Sequence, residues 1–365
     1  MKIYLFRSFP DPYRKSMEVY ADQLLKGIRS LLNEHEDIVD YLPANVHLTP
    51  RCARYWDQYI RYQRLSKTFH GDVNHIIDHS YGHLVNSLPA HRTIVTFHDS
   101  TVMKVNTIPY RTRLSLRYSL KAVRKAAMVI ADSQISRQDF LYLVDYPEDK
   151  VKVVYPGIDY SFKMMQNRDA LKKHYNLPGI YILHIGHNLA YMNVEGVFLV
   201  LNCLVRRYGI NAQLIKVGNR FTATQERLLD RLDLRKRVIH FGRVPFHDLP
   251  VIYNCADVLL YPVLYTGFGL PPLEAMACGT PVVCSNRGSL PEIVGDAALM
   301  ADPEDHQQLA MHVMSLLTDE TLRDTYRTKG FQQAQCYSWN KTAREVLVIY
   351  RKVYEAQGPD VIRQR

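Results

Sequence analysis

The sequence predicts an α/β protein of two doubly wound domains, each a parallel sheet covered by helices on both faces. Three observations predict it. The chain has 365 residues, too many for one ordinary hydrophobic core. Short β-branched runs alternate with helix-period segments along its length. The alternation pauses between Asp159 and Leu177, where "YSFKMMQNRDALKKHYNLPG" has little strand character and ends in a Pro-Gly break, as a linker would.

Taken in order, the strands of the first half are "KIYLF", "HIIDHS", "TIVTFHD", "MVIADS" and "VKVVYPG". Those of the second half are "YILHIG", "QLIKVG", "VIHFG", "VLLYP" and "PVVCS". Amphipathic stretches such as "SMEVYADQLLKGIRSLL" and "VEGVFLVLNCLVRRYG" run between them as covering helices, and "YSWNKTAREVLVIYRKVYEAQG" makes a long final one. The expected divisions are residues 1–165, 166–337 and the closing helix 338–365.

Composition narrows the class. With 47% hydrophobic and 22% charged residues, the chain is not largely disordered. No apolar run approaches the roughly 20 residues of a membrane-spanning helix. "MKIYLF" meets Arg7 at once and reads as a first strand, which predicts a cytoplasmic protein. The cysteines Cys52, Cys203, Cys255, Cys278, Cys284 and Cys336 lack C-x-x-C spacing and read as free thiols. No metal-ligand cluster accompanies them. The net charge of +10 favours anionic partners. Much of it lies in "RCARYWDQYIRYQRLSK" and "YRTRLSLRYSLKAVRKAA", which mix Arg and Lys with aromatic and apolar residues. Two readings fit these segments: solvated helices, or a basic face resting on an anionic membrane surface or a lipid-diphosphate acceptor. No nucleic-acid motif accompanies the charge, so nucleic acid is not an expected partner.

In open α/β sheets ligands bind beyond the carboxyl ends of the strands. Three strand exits stand out. In "HIGHNLAYMN", Gly186 permits a tight turn, His187 and Asn188 follow it, and Asn193 suits a helix N-cap, a fit place for a phosphate as well as a plain joint. In "YTGFGLPPLEAMACGTPVV", Gly267 and Gly269 free the backbone, and Pro271 and Pro272 suit a first helical turn. Backbone N–H groups from Phe268 to Leu270 then form an anion site, and Glu274 can accept two ribose hydroxyls or act as a helix-dipole acid. In "TFHDS", His98 and Asp99 end an apolar strand, where a His can bond a sugar hydroxyl or a phosphate or serve the structure alone. Asp132 and Ser133 read as helix caps.

In this order, "TFHDS", "ADSQIS", "VVYPGIDYSF", "ILHIGHNLAYMN", "VIHFGRVPFHDLPVIYNCADVLLYP", "GFGLPPLEAMACGTPVV" and "GSLPEIVGDAALMADPED" resemble glycosyltransferase family 4, the retaining nucleotide-sugar transferases of the GT-B fold. The resemblance covers nearly the whole chain. It implies two Rossmann-like domains facing a central cleft, an acceptor domain first and a donor domain second, with the last helix crossing back to the first. It also implies that Glu274 meets the ribose, and that Gly242, Arg243 and Val244 lie near the base. The diphosphate would sit between the Gly186 turn, with Asn188 and Asn193, and the backbone of Gly267, Phe268, Gly269 and Leu270. His98, Asp99, His187 and Thr266 would serve the reacting sugar. Neither a cofactor nor a metal is implied.

Two departures from the family pattern stand out. Thr266 occupies the first acid position of Glu-x7-Glu, and Met192 the usual lysine. His187, Arg243, Lys216 or Arg220 are candidates to restore the positive charge. The expected function is transfer of a sugar from a nucleoside diphosphate to a sugar or lipid-linked acceptor hydroxyl, in cell-surface polysaccharide or lipopolysaccharide synthesis at the inner face of the cell membrane. The alternatives are a degenerate GT-B protein acting as a nucleotide-sugar-binding or partner subunit, and a nucleotide-sugar epimerase.

Overall fold

The computed structural model describes residues 1–9, 15–42, 56–104, 109–175, 177 and 179–358. The chain forms two compact units, one of Met1–Gly157 with Ser338–Arg365, the other of Ile158–Tyr337. Each holds one six-stranded sheet, and every strand pairing is parallel.

In the first unit the strands are β1 (Lys2–Phe6), β2 (Asp37–Tyr41), β3 (Val73–Ile76), β4 (Thr93–Phe97), β5 (Met128–Ala131) and β6 (Val151–Val153). They lie in the order β2-β1-β3-β4-β5-β6. Side chains alternate across a strand, and here both faces are buried. Ile3 and Leu5 enter one core, with Ile94, Met128 and Ile130. Tyr4 and Phe6 enter the other, with Val95, Phe97 and Val129.

The first of these cores is completed by the end of the chain. The helix Trp339–Glu355 buries Trp339, Ala343, Val346, Tyr350 and Val353, one side of a 3.6-residue period. Ser338 caps it by accepting from the Lys341 N–H. It lies so close to the helix Lys15–Arg29 that a β-carbon at Gly27 would stand 2.8 Å from that of Ala343. The Tyr350 hydroxyl bonds His75 Nδ1 at 2.6 Å. Arg351 grips Glu36 with two hydrogen bonds of 3.0 and 2.9 Å.

In the second unit the strands are β7 (Ile180–Gly186), β8 (Ala212–Gly218), β9 (Val238–Gly242), β10 (Val258–Tyr261), β11 (Val282–Ser285) and β12 (Leu299–Ala301). Their order is β12-β11-β10-β7-β8-β9. The order reverses between β7 and β10, the position where open sheets leave a crevice beyond the strand ends. The helix Val194–Arg206 covers one face with Val194, Val197, Phe198 and Leu201.

The segment after Asp159 carries the helix Arg168–His174, opened by Asn167. Arg168 and Lys172 both reach Asp257, at 2.9 and 2.7 Å, and tie this segment into the second unit. Of the two basic segments, residues 51–55 lie outside the described residues. Tyr110–Val123 is a helix that buries Leu116, Leu120 and Val123 while exposing Tyr110, Leu114 and Tyr118. Among the described residues no helix is long and apolar enough to cross a membrane.

Candidate functional site

The site is assembled from the exits of β7, β8 and β10 in the second unit. β7 and β8 pair residue for residue up to Gly186 and Gly218. Both glycines have positive φ, +147° and +129°, a region that side-chain-bearing residues rarely adopt. A β-carbon at Gly218 would fall 2.0 Å from the Gly186 carbonyl oxygen, so this edge must be bare backbone. Against it lies Lys216, fully buried. Its ammonium donates to the Gly186 carbonyl at 2.6 Å and to the Val217 carbonyl at 2.8 Å. Burial brings its pKa down to about 7.

The residues after Gly186 divide between exposure and structural duty. His187 is half-buried; burial first, then the charges of Lys216 and Arg243, lower its pKa and disfavour the charged ring. Asn188 donates through Nδ2 to the Asn219 and Arg220 carbonyls, at 2.8 and 2.7 Å. Asn193 caps the next helix through Oδ1 and donates through Nδ2 to the Pro262 and Pro303 carbonyls, at 3.0 and 2.8 Å. Met192 is buried, its methyl packed where a side chain at 186 would begin.

The β10 exit is tied to that of β7 by a hydrogen bond from the Leu264 N–H to the Tyr191 carbonyl, 2.7 Å. Ser289 braces the following turn, donating through Oγ to the Phe268 carbonyl at 2.7 Å and through its N–H to the Thr266 carbonyl at 3.3 Å. Thr266 is half-buried, with Tyr261 in hydrogen-bonding reach of its side chain. Gly267, Phe268 and Gly269 are buried and Leu270 half-open; Gly269, at φ +95°, starts the helix Leu270–Ala277, with prolines in its first turn. Glu274 keeps part of its surface accessible and accepts from the Tyr253 hydroxyl at 2.6 Å. Burial pushes its pKa up to about 7; the Tyr253 bond opposes this and the Asp159 charge adds to it. Beyond β9, Gly242 turns at φ +67°, Arg243 is exposed and Val244 half-buried.

His98 and Asp99 belong to the first unit, at the exit of β4. Asp99 accepts from the Thr101 N–H at 2.9 Å. His98 is buried, with Asp132 Oδ2 2.6 Å from Nδ1 and the Ile77 carbonyl 2.7 Å from Nε2. The Ile77 carbonyl takes a proton-bearing Nε2, and an ionised Asp132 takes a second proton at Nδ1, which is the charged form of the ring. Burial opposes that charge, but the Asp132 carboxylate, with help from Asp78, outweighs it and raises the His98 pKa to about 9. Asp132 therefore does not cap the helix Gln134–Leu143, as its sequence position suggests; Ser133 does that alone, accepting from Ser136. The pairing has a readable signal. Phe97 and Ala131 are partners in adjacent parallel strands, so the next residue of each, His98 and Asp132, leaves the sheet side by side. Tyr253 and Ser289 carry no such signal, because their roles rest on contacts between distant segments.

An open parallel sheet whose strand order reverses beside the bare exit of β7 has its crevice there, the usual ligand position of doubly wound α/β folds. The family model "Glycosyl transferases group 1" matches residues 167–333, and "Glycosyltransferase Family 4" matches residues 21–162. The O-antigen chain mannosyltransferase B of Escherichia coli is 32% identical over 71% of this chain and 70% of its own. The chain belongs to glycosyltransferase family 4. The serotype-specific mannosyltransferase WbdA of E. coli is 29% identical over 61% of this chain, a match spanning only 28% of WbdA. The fold is GT-B. A sucrose-phosphate synthase from Thermosynechococcus elongatus superimposes with a TM-score of 0.80 at 19% identity, covering 98% of this chain and 100% of its own. Anabaena HepE, in complex with UDP and glucose, does so with 0.76 at 17%, covering 96% and 100%.

Proposed function

We propose that this chain transfers a sugar from a nucleoside diphosphate to an acceptor hydroxyl, with the anomeric configuration retained and no metal, in the synthesis of a surface polysaccharide or lipopolysaccharide. The observation that carries the reading is the bare exit of β7 at the strand-order reversal, tied to the glycine-rich exit of β10 that leads into the helix bearing Glu274. Backbone without side chains allows close approach of a diphosphate, and a largely buried carboxylate suits two ribose hydroxyls. Gly242, Arg243 and Val244 would border the base, while Thr266 and His187 would contact the donor through neutral hydrogen bonds. His98 and Asp99 are proposed for the sugar end of the reaction. There His98, with both nitrogens engaged, would be held in one orientation by Asp132 and the Ile77 carbonyl. The leaving phosphate would take the acceptor proton. The name of the E. coli relative makes mannose the first sugar to test.

The exposed Tyr110, Leu114 and Tyr118, flanked by Arg111, Arg117 and Lys121, are proposed to rest on an anionic membrane at the cytoplasmic face. Flotation with vesicles containing anionic lipid should carry the protein, and neutral vesicles should not.

The test of activity is incubation of the purified protein with a panel of nucleoside-diphosphate sugars and acceptors, with products read by mass spectrometry and the anomeric centre by NMR. Transfer with retention is expected; inversion overturns the mechanism. Thr266 and the buried Met192 favour one second reading, a nucleotide-sugar-binding partner subunit, which predicts binding without turnover.

A further inference from the structure

Lys216 is fully buried, and among the described residues no carboxylate forms an ion pair with it. Two of its three N–H bonds go to main-chain carbonyls, and burial alone lowers its pKa. The titratable and charged groups on the neighbouring elements are His184, His187, His240, Arg243 and Glu195. His184, beside it on β7, donates through Nδ1 to the Leu260 carbonyl at 3.0 Å and is held neutral by burial and by Lys216 itself. His187 follows from the turn and Arg243 from beyond β9. His240, its register partner on β9, has Nε2 3.0 Å from the Asn219 carbonyl. Glu195, on the next helix, accepts from Gln225 at 3.2 Å. An ammonium so placed is disfavoured unless an anion arrives.

The place where an anion could arrive is set by the same contacts. The Lys216 ammonium grips the Gly186 carbonyl and lies 3.0 Å from where a Gly218 β-carbon would stand. Those two glycines form the bare edge of the site. On the other side of Gly186 the methyl of Met192 closes the packing, so position 192 brings no charge there.

We propose that Lys216 is the counter-charge for the donor diphosphate, acting from beneath the sheet edge through the backbone of Gly186 and Gly218. This rests on the donor-site reading above. Lys216 does not touch the ligand; it is a positioning charge. Its consequence is proton linkage: as the diphosphate binds, Lys216 takes up the proton that burial had loosened.

Calorimetry with UDP and GDP, and with uridine and guanosine as controls, tests it on the whole protein. At pH 8, in two buffers of different ionisation enthalpy, the wild type should take up a substantial fraction of one proton per diphosphate bound. Its affinity should fall between pH 7 and pH 9. Lys216→Met, close in volume, should weaken diphosphate binding about 10- to 100-fold, leave nucleoside binding unchanged and abolish both the uptake and the fall in affinity above pH 7. Absence of uptake in the wild type overturns the inference without any variant. Equal diphosphate affinity in Lys216→Met overturns it while leaving the donor site standing. If the wild type binds no UDP, GDP or sugar derivative of either, the donor-site reading falls as well.

Discussion

His98 and Asp132 show how a single buried pair makes stability depend on pH. The His98 pKa is raised, so its contribution is fully present below about 6.5, the ordinary histidine value, and is lost as pH rises through about 9. Denaturant titrations should therefore show the first unit weakening between pH 6.5 and pH 9. Asp132→Asn leaves a buried charge without its partner and should cost about 3–5 kcal/mol at pH 6.5 while flattening that slope. Glu274 has the opposite sense. If its carboxylate binds ribose, donor affinity should rise as pH climbs through about 7. Tyr253→Phe removes the hydrogen bond that favours the ionised form, so that rise should move to higher pH, with little change above pH 9. A variant that merely loosened the fold would weaken binding at every pH instead.

Between β7 and β8 the decisive feature is a pair of strand ends that leave no room for side chains. Gly218→Ala drives a methyl into the Gly186 carbonyl, which is backbone and cannot swing aside. A loss of about 3 kcal/mol is expected, read as a fall of roughly 6–12 °C in Tm, together with loss of nucleotide binding. Gly186→Ala meets only the mobile end of Met192 and should be milder, retaining the strain of its positive φ. The long apolar strands were legible because both of their faces are buried, leaving runs such as "VLLYP" and "PVVCS". Two strands were not. β2, "DIVDY", is a short edge strand with charged residues at both faces, and β12 spans only Leu299–Ala301 within an alanine-rich stretch. The glycine turn, the double-proline helix start and Glu274 were visible from residue type and spacing. The burial of Met192 and the contacts of Lys216 were not, since they depend on how neighbouring strands lie in register.

Across the whole molecule, one unit is continuous in sequence and the other is not. Residues 158–337 form the second unit from an unbroken segment. Expressed alone, that segment should melt cooperatively and, if the proposed donor site is right, match the full chain in its affinity for UDP or GDP. Residues 1–157 alone lack the helix Trp339–Glu355 and would expose the core holding Ile3, Leu5, Leu24 and Ile94. That fragment should bind a hydrophobic dye, and a peptide of residues 338–358 added in trans should suppress the dye signal. The same arrangement governs synthesis. Domains of a chain ordinarily fold in the order in which they leave the ribosome. Here residues 1–157 must wait, with an apolar sheet face uncovered, until residues 339–355 have been made, while the lobe encoded between them is free to settle first. The early-emerging half thus passes its vulnerable period in nascent form, where chaperone occupancy should be concentrated.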